Sequence, residues 1–326
     1  MEKKYVVIVD SMADFEIGFS DPNLVIVNTP VTIGGDDYTD ATPDEFYKRQ
    51  KEVFQLNNQL RRSGKCPIPI KTSTPSPMRL YEEMKKILET GRDAIYVATA
   101  STLTSAYQSG RIAVDMIEDD DEKYDGRAIA IDGLSMSALT AVMVRIALRD
   151  CDTTDDFIRF IFDRRNDTEH FFLVTEWDAF RDSGRIPPGT LAIATLAGFK
   201  PLMRFDFNDE GTRKAFAEKK HRNLRKLCQS AISTLAETIE EKFCMIIHAN
   251  NPDGASLMHE LLINQLPGIV PIYNLERCRM GPATGVHLGH SAIGLAFMRK
   301  KGVYENAELH RKTQLPEEAI YGYSFG

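Results

Sequence analysis

Residues 94–98 read Ala-Ile-Tyr-Val-Ala, and a hydroxyl-rich loop and a helical pattern follow at once, from Thr99 to Tyr107. A short apolar run that contains β-branched and aromatic residues is typical of a buried strand. A strand, a loop and a helix in immediate succession form the first half of a strand–helix–strand unit. This stretch therefore predicts an α/β fold, with largely parallel sheets flanked by helices.

The same alternation recurs along the 326-residue chain, which has the length of two domains. Buried strands are predicted at Tyr5–Val9, Ala94–Ala98, Ala128–Ile131, Phe171–Val174, Met245–His248 and Ile269–Tyr273. Helices are predicted at Pro77–Glu89, with one apolar stripe, and at Ser135–Arg149, apolar almost all round. The charged segment Asp163–Asp167 has the character of a solvated helix end. We predict two α/β domains, residues 1–165 and 166–326.

Composition excludes several classes of protein. Lys and Arg number 40 against 47 Asp and Glu, a net charge of −7, which argues against a general nucleic-acid or anionic-membrane binder. The apolar run near the N-terminus is too short for a signal peptide or a membrane span. The five cysteines are scattered and form no C-x-x-C pair, a pattern that favours reduced thiols. The composition thus indicates a cytoplasmic protein that is not an integral membrane protein.

Familiar catalytic and cofactor motifs are incomplete. Residues 133–137 lack the second glycine of the nucleophile elbow, and residues 259–263 lack the second histidine of the zinc motif H-E-x-x-H. Neither a P-loop nor a G-x-G-x-x-G stretch occurs. His287 and His290 could meet on a helix face, but the surrounding glycines indicate a loop and no third metal ligand is evident. We therefore predict no cofactor, no metal and no catalytic residue.

Three loops are unusually rich in hydroxyl groups or glycine: residues 71–77, 98–107 and 281–290. Ser76 and Ser105 stand where a side chain would cap a helix N-terminus. Capping does not require so many hydroxyl groups in one loop. Because helix N-termini that follow strands also favour anions, the loops indicate a site for a carboxylate or a phosphate.

Six segments, in chain order, carry a resemblance to the DegV family, which includes the fatty-acid-binding subunits of bacterial fatty acid kinase. They resemble the family's motifs V-x-D-S-T-A-D, T-S-Q-P-S, S-S-x-L-S-G-T-Y-Q-S, G-G-R-I, I-K-P-I and G-P-x-x-G-x-H-x-G-P-G-x-x-G. In this chain they are Val7–Asp14, Lys71–Ser76, Ser101–Ser109, Ser183–Ile186, Phe199–Leu202 and Gly281–Gly294. Each motif alone is weak, but six in the right order identify the chain as similar to this family over almost its whole length.

The resemblance implies a two-domain DegV-like fold and a carrier function. The family holds a long-chain fatty acid in an apolar tunnel, with the carboxyl group facing residues that correspond here to Thr72, Ser101 and His287. It presents that group to a separate kinase, which forms an acyl phosphate, and Arg185 would engage this kinase catalytic subunit. An alternative for Arg185 is an ion pair with Asp178 or Asp182.

Tunnel-wall candidates follow the Arg185 loop, although for any single one of them an ordinary core position is the simpler interpretation. They are Leu191, Ile193, Leu196, Phe199, Leu202, Met203 and Phe205. In the resemblance, the N-terminal domain carries the hydroxyl loops, and the C-terminal domain carries the tunnel and the His287 loop.

Departures from the family's motifs leave other functions open. Ala100 and Thr74 replace a serine and a glutamine, and Gly289-His290-Ser291 replaces G-P-G, so Ser73, Thr104 and His290 are further candidates for the head-group shell. One alternative is a hydrolase of acyl or phosphate esters, with Ser101 as nucleophile, His287 as base and Asp10 or Asp132 orienting the imidazole. Another is a small-anion sensor that uses both histidines.

Overall fold

The computed structural model describes residues 2–175, 177, 179, 182, 199–208, 212–303 and 316–323. Its strands are β1 (Tyr5–Asp10), β2 (Leu24–Val27), β3 (Val31–Ile33), β4 (Asp36–Asp37), β5 (Ile70–Thr72), β6 (Asp93–Ala98), β7 (Ala128–Asp132), β8 (Thr168–Leu173), β9 (Lys200–Phe207), β10 (Arg213–His221), β11 (Ile239–His248), β12 (Val270–Ile272), β13 (Ile293–Arg299) and β14 (Ile320–Tyr321). Its α-helices are α1 (Pro43–Arg62), α2 (Pro77–Glu89), α3 (Ala106–Asp120), α4 (Ala138–Asp150), α5 (Thr154–Arg164), α6 (Leu224–Thr238), α7 (Pro252–Gln265), α8 (Pro282–Leu288) and α9 (Pro316–Ala319). Short 3₁₀ turns occupy Ser11–Ala13, Glu122–Tyr124 and Arg165–Asp167.

The strands of the described residues form two large sheets and one small one. The first sheet has the order β14-β7-β6-β1-β2 and is parallel apart from β14. The second has the order β10-β9-β8-β13-β11-β12 and is antiparallel apart from the β11–β12 pair. The small sheet is β4-β3-β5.

The α/β class is confirmed, and all six predicted strands are present. Five lie within three residues of their predicted bounds, and β11 begins six residues before its predicted start. Largely parallel pairing holds in the first sheet. In the second sheet β9 and β10 form a hairpin, and a short connection of this kind joins only antiparallel strands. Residue 165 falls between α5 and β8, and the domain boundary placed there stays a prediction.

Helix α4 joins the two large sheets. Ten of its thirteen residues are buried, as the all-round apolar pattern predicts. Its side chains share one core cluster with Val7 and Ile95 of the first sheet and with Phe172 and Met203 of the second. The sheets are therefore held together by one apolar layer rather than by separate cores alone.

The segment Asp163–Asp167 is solvated only at its start, where Asp163 is exposed in the last turn of α5, and the prediction is wrong for residues 165–167. Arg165, Asn166 and Asp167 are each at most 2% exposed. Arg165 donates to the backbone oxygen of Asp132 at 2.6 Å, across the C-terminal end of β7. The polar groups of this turn are buried because the turn leads directly into β8.

A cluster of charges is buried in the second sheet; we call Glu169, Arg204, Asp206 and Arg299 the charge cluster. The Arg299 guanidinium lies 3.0 Å from the Glu169 carboxylate and 2.8 Å from that of Asp206. Arg204 lies 2.8 Å from Glu169 and 2.9 Å from Asp206. Each carboxylate thus contacts both guanidinium groups, and the buried charges are balanced.

No helix within the described residues has both the length and the apolar character needed to cross a membrane.

Candidate functional site

A cavity of about 300 Å³ lies where the small sheet, α8 and the second sheet meet. One part of its wall is apolar and consists of Met12, Leu103, Met136, Phe172, Met203, Ala215 and Leu288. The other part carries hydroxyl groups and one imidazole, from Thr29, Thr72, Ser73, Thr74, Thr104, Ser105, Thr284 and His287. The cavity is therefore amphipathic, and all of its polar groups except Thr29 come from the predicted hydroxyl loops and from the His287 segment.

Two of the three predicted carboxylate ligands meet in this cavity. The hydroxyl group of Thr72, at the end of β5, lies 2.9 Å from Nε2 of His287, in the last turn of α8. The two residues are 215 positions apart in the sequence. Each group can turn to a ligand oxygen, because a hydroxyl and a neutral imidazole both donate as well as accept.

Two hydrogen bonds from α1 hold α8 and the residue that precedes its N-cap. Tyr47 donates to the backbone oxygen of Met280 at 3.1 Å, and Gln50 donates to that of Gly285 at 2.6 Å. A β-carbon at Gly285 would lie only 2.7 Å from the rings of Phe46 and Tyr47. Glycine at this position lets α8 approach α1 closely, and this approach fixes where His287 lies.

Asp14 holds the start of α8 from a distant part of the chain. Its carboxylate accepts from the backbone N–H of Gly281 at 2.7 Å and from the Ser137 hydroxyl at 2.6 Å. Burial raises the pKa of Asp14 to about 7. The backbone has positive φ at Asp14, Leu134 and Ser137, which is uncommon for residues other than glycine. These residues are close in sequence to the cavity residues Met12 and Met136.

Ser101, the third predicted carboxylate ligand, is not among the cavity-lining residues. Its hydroxyl donates to the Asp132 carboxylate at 2.5 Å, and its backbone N–H donates to the same group at 3.1 Å. The residues of its loop that line the cavity are Leu103, Thr104 and Ser105. In this structure Thr104 lines the cavity, whereas Ser101 does not.

The arrangement differs from that of a serine hydrolase. The Ser101 hydroxyl bonds to Asp132, while Nε2 of His287 bonds to Thr72. Asp10, the other carboxylate considered for orienting His287, accepts hydrogen bonds from Thr99 and Tyr96. The nucleophile–base hydrogen bond that would activate Ser101 is not formed.

The predicted glycine-punctuated loop at His287 and His290 is wrong, because residues 282–288 are helical up to the positive-φ Gly289. His290 lies beyond that turn, 9% exposed, with its ring centroid 6.4 Å from that of Phe54. It is not among the residues that line the cavity. The described residues contain no group of three or more His, Cys, Asp or Glu side chains able to hold a metal ion.

The predicted caps differ from each other. Ser76 accepts from the backbone N–H of Arg79 at 3.2 Å and caps α2, as expected. Ser105 makes no side-chain cap for α3, so that prediction is wrong, and it lines the cavity instead.

Arg185 and three tunnel-wall candidates, Leu191, Ile193 and Leu196, lie outside the described residues, as does Asp178. Asp182 forms an ion pair with Arg61, at 2.7 Å. Of the other candidates, Met203 lines the cavity, whereas Leu202 and Phe205 belong to core clusters.

Sequence reasoning missed Met12, Thr29, Met136 and Thr284 as cavity residues. Met12 and Thr284 stand inside segments that were singled out, so their motif was the available signal. Met136 stands inside residues 133–137, which were considered for function only as an incomplete nucleophile elbow, and Thr29 stands in a connecting segment with no such signal.

A family model and the sequence relatives of this chain point to the same protein family. A family model described as "Uncharacterised protein, DegV family" matches residues 4–300. A DegV domain-containing protein of Clostridium perfringens is 24% identical over 308 residues, which are 91% of this chain and 98% of the relative.

Solved structures share the fold. A stearic-acid-binding protein from Eubacterium ventriosum superposes with a TM-score of 0.71 at 20% identity, over 92% of this chain and all of the other. The Fatty Acid Kinase B3 protein of Streptococcus pneumoniae, loaded with linoleic acid, has a TM-score of 0.69 at 15% identity, over 91% and 99% of the two chains.

Proposed function

This chain belongs to the DegV family, and on that premise we propose that it is a carrier that binds a long-chain fatty acid and presents it to a kinase. The observation that carries the proposal is the amphipathic cavity. Hydroxyl groups and the imidazole of His287 form one part of its wall, and methionine, leucine and phenylalanine side chains form another. These two surfaces suit a carboxylate head and an aliphatic tail.

The head group needs several donors, because leaving a carboxylate unpaired away from water costs several kcal/mol. We assign this role to Thr72, His287 and Thr104, with Ser73 beside them at the cavity wall. Ser101 stays a predicted ligand. To bind the carboxylate it would have to release Asp132, with which it now forms a 2.5 Å hydrogen bond.

The tail supplies affinity by burial. At roughly 0.8 kcal/mol for each methylene group, about ten buried methylenes contribute on the order of 8 kcal/mol before the costs of association. Met12, Met136 and Met203 suit this role, because flexible thioether side chains adapt to the shape of the chain beside them.

The proposal also includes a kinase partner, which is supported by two relatives of known structure. Of the two structural relatives, one is a stearic-acid-binding protein, and the other is a Fatty Acid Kinase B3 protein loaded with linoleic acid. In our proposal a separate kinase catalytic subunit phosphorylates the presented carboxylate. Arg185 contacts that subunit, and the reaction takes place in the cytoplasm. This chain then binds the substrate and performs no chemical step itself.

Mass spectrometry of the gently purified chain tests the binding function directly. We expect a long-chain fatty acid to be released from the protein on denaturation. An empty cavity in repeated preparations, together with no uptake of added long-chain acids, would contradict the proposal.

A histidine pair then locates the head group. We expect His287→Ala to weaken binding of a long-chain acid about 10- to 100-fold by isothermal titration of the delipidated chain, because a charge-assisted donor is lost. His259→Ala is the matched control, since that ring stacks on Tyr273, away from the cavity. Equal affinities of the two variants would remove His287 from the site.

A further inference from the structure

The cavity has more hydrogen-bonding groups than a carboxylate can use. Seven hydroxyl side chains and one imidazole line it, whereas an ionised carboxylate offers about four acceptor positions. Thr74 is already paired with Ser109, at 3.3 Å between the two hydroxyl oxygens. Ser105 and Ser73 are exposed and can be hydrated. The remaining hydroxyl groups are neither paired with another hydroxyl of the described residues in this way nor as exposed as Ser73 and Ser105.

Two of these residues are deeply buried threonines. Thr29 is 3% exposed and Thr284 is fully buried. The side-chain oxygen of Thr29 has no hydrogen-bond partner among the described residues. The hydroxyl of Thr284 lies beside the Asp14 carboxylate and can donate to it, which leaves its oxygen free to accept from a ligand. A buried hydroxyl without a partner destabilises a protein, because its hydrogen bonds to water are lost and not replaced. Contact with an unsubstituted aliphatic chain would leave Thr29 in that state.

Both threonines lie close to the head-group residues. Thr284 and His287 are three residues apart on α8, so they share one face of the helix with about 5–6 Å between their β-carbons. Val31 of β3 pairs with Thr72 of β5, and Thr29 precedes Val31 by two residues. Thr29 and Thr284 thus line the same cavity as the Thr72–His287 pair and stand next to it, just before β3 and on α8.

We infer that the cavity is built for a fatty acid that carries a hydroxyl group on one of the first carbons after its carboxyl group, with Thr29 and Thr284 as partners of that hydroxyl. The inference rests on the proposed fatty-acid-binding function and names the class of acid. A substrate hydroxyl can both donate to and accept from a threonine hydroxyl, so it satisfies both side chains without adding charge.

Three acids of equal chain length test the inference by isothermal titration of the delipidated full chain: an unsubstituted acid, its 3-hydroxy derivative and its 12-hydroxy derivative. We expect the 3-hydroxy acid to bind roughly tenfold more tightly than the unsubstituted acid. The 12-hydroxy acid, whose oxygen would lie against the apolar wall, should bind more weakly than both. Equal affinities for the first two acids would overturn the inference, since hydration would then suffice for the threonines.

Variants at Thr29 assign the effect. Thr29→Val keeps the shape and removes the hydroxyl, so it should weaken binding of the 3-hydroxy acid and strengthen binding of the unsubstituted acid. Thr29→Ser restores a hydroxyl and should restore the preference. If Thr29→Val weakens both acids equally, Thr29 has only a structural role and the inference fails. If no acid binds the unmodified chain, the proposed function itself fails.

Discussion

The molecule buries polar groups in two regions that are organised in opposite ways. In the charge cluster, Arg299 and Arg204 each contact both Glu169 and Asp206, so every charge has partners inside the protein. At the cavity, Thr29 has a buried hydroxyl without a partner. Polar groups that are satisfied internally hold the fold together, whereas those left unsatisfied are available to a ligand. Burial alone therefore does not distinguish the charge cluster from Thr29; the presence or absence of a partner does.

The strongest test of this contrast is to remove one member of the charge cluster. Arg299→Met should lower the free energy of unfolding by about 3–5 kcal/mol in urea titrations, because two carboxylates are left buried beside one guanidinium. Arg159→Met is the matched control, since its ion pair with Asp155 is exposed and should contribute at most about 1 kcal/mol. A loss below 1 kcal/mol in Arg299→Met would show that the cluster is not structural.

Asp14 lies between the two types, because it is hydrogen-bonded but has no paired cation among those bonds. Burial raises its pKa from 3.8 to about 7, so between these pH values the folded chain keeps a proton that the unfolded chain releases. The stability associated with this proton is fully present below about pH 4 and is lost as the pH rises to about 7.

Asp14→Asn should remove this dependence. The difference in free energy of unfolding between the natural chain and the variant should change by a few kcal/mol from pH 4 to pH 7, in favour of the variant at the higher pH. Denaturant titrations at several pH values measure it. Parallel curves for the two proteins would show that Asp14 titrates normally.

The smallest expected effect is a difference in fatty-acid affinity between variants at Thr104 and Ser101, two hydroxyl residues of one loop. Thr104→Val should weaken fatty-acid binding about three- to tenfold, since a donor at the cavity wall is lost. Ser101→Ala should change the affinity less than twofold, because Ser101 donates to Asp132. The reverse order of effects would restore Ser101 as the ligand and show that its bond to Asp132 opens on binding.

Sequence patterns located β1, β6 and β7 of the first sheet well because these strands are short, apolar and followed by turns. They did not locate β2 or β14. Helix α2 was predicted with its observed bounds, since Pro77 and the Ser76 cap mark its start. Strand β8 was predicted three residues late, at Phe171. Its first residues include Glu169, which is charged and fully buried, and only its contacts with distant Arg204 and Arg299 make that burial possible.

The candidate site could be predicted only as far as its motifs. Thr72 and His287 were paired by family resemblance, and the structure brings them into contact. Asp132 was considered only as an orienting group for His287, and its bond to Ser101 depends on adjacent parallel strands ending side by side. Local sequence does not show which of several hydroxyl groups in a loop turns inward, so Thr104 could not be preferred to Ser101.

The pairing of β14 with β7 has a consequence for how the chain is made. Residues 320–321 close an edge of the sheet that also contains residues 5–10. During synthesis on the ribosome, β1, β6 and β7 emerge long before the strand that covers β7. For that interval the free edge of β7 can template wrong pairing with another nascent chain. We expect the nascent protein to aggregate more readily until β14, or a chaperone, covers this edge of β7.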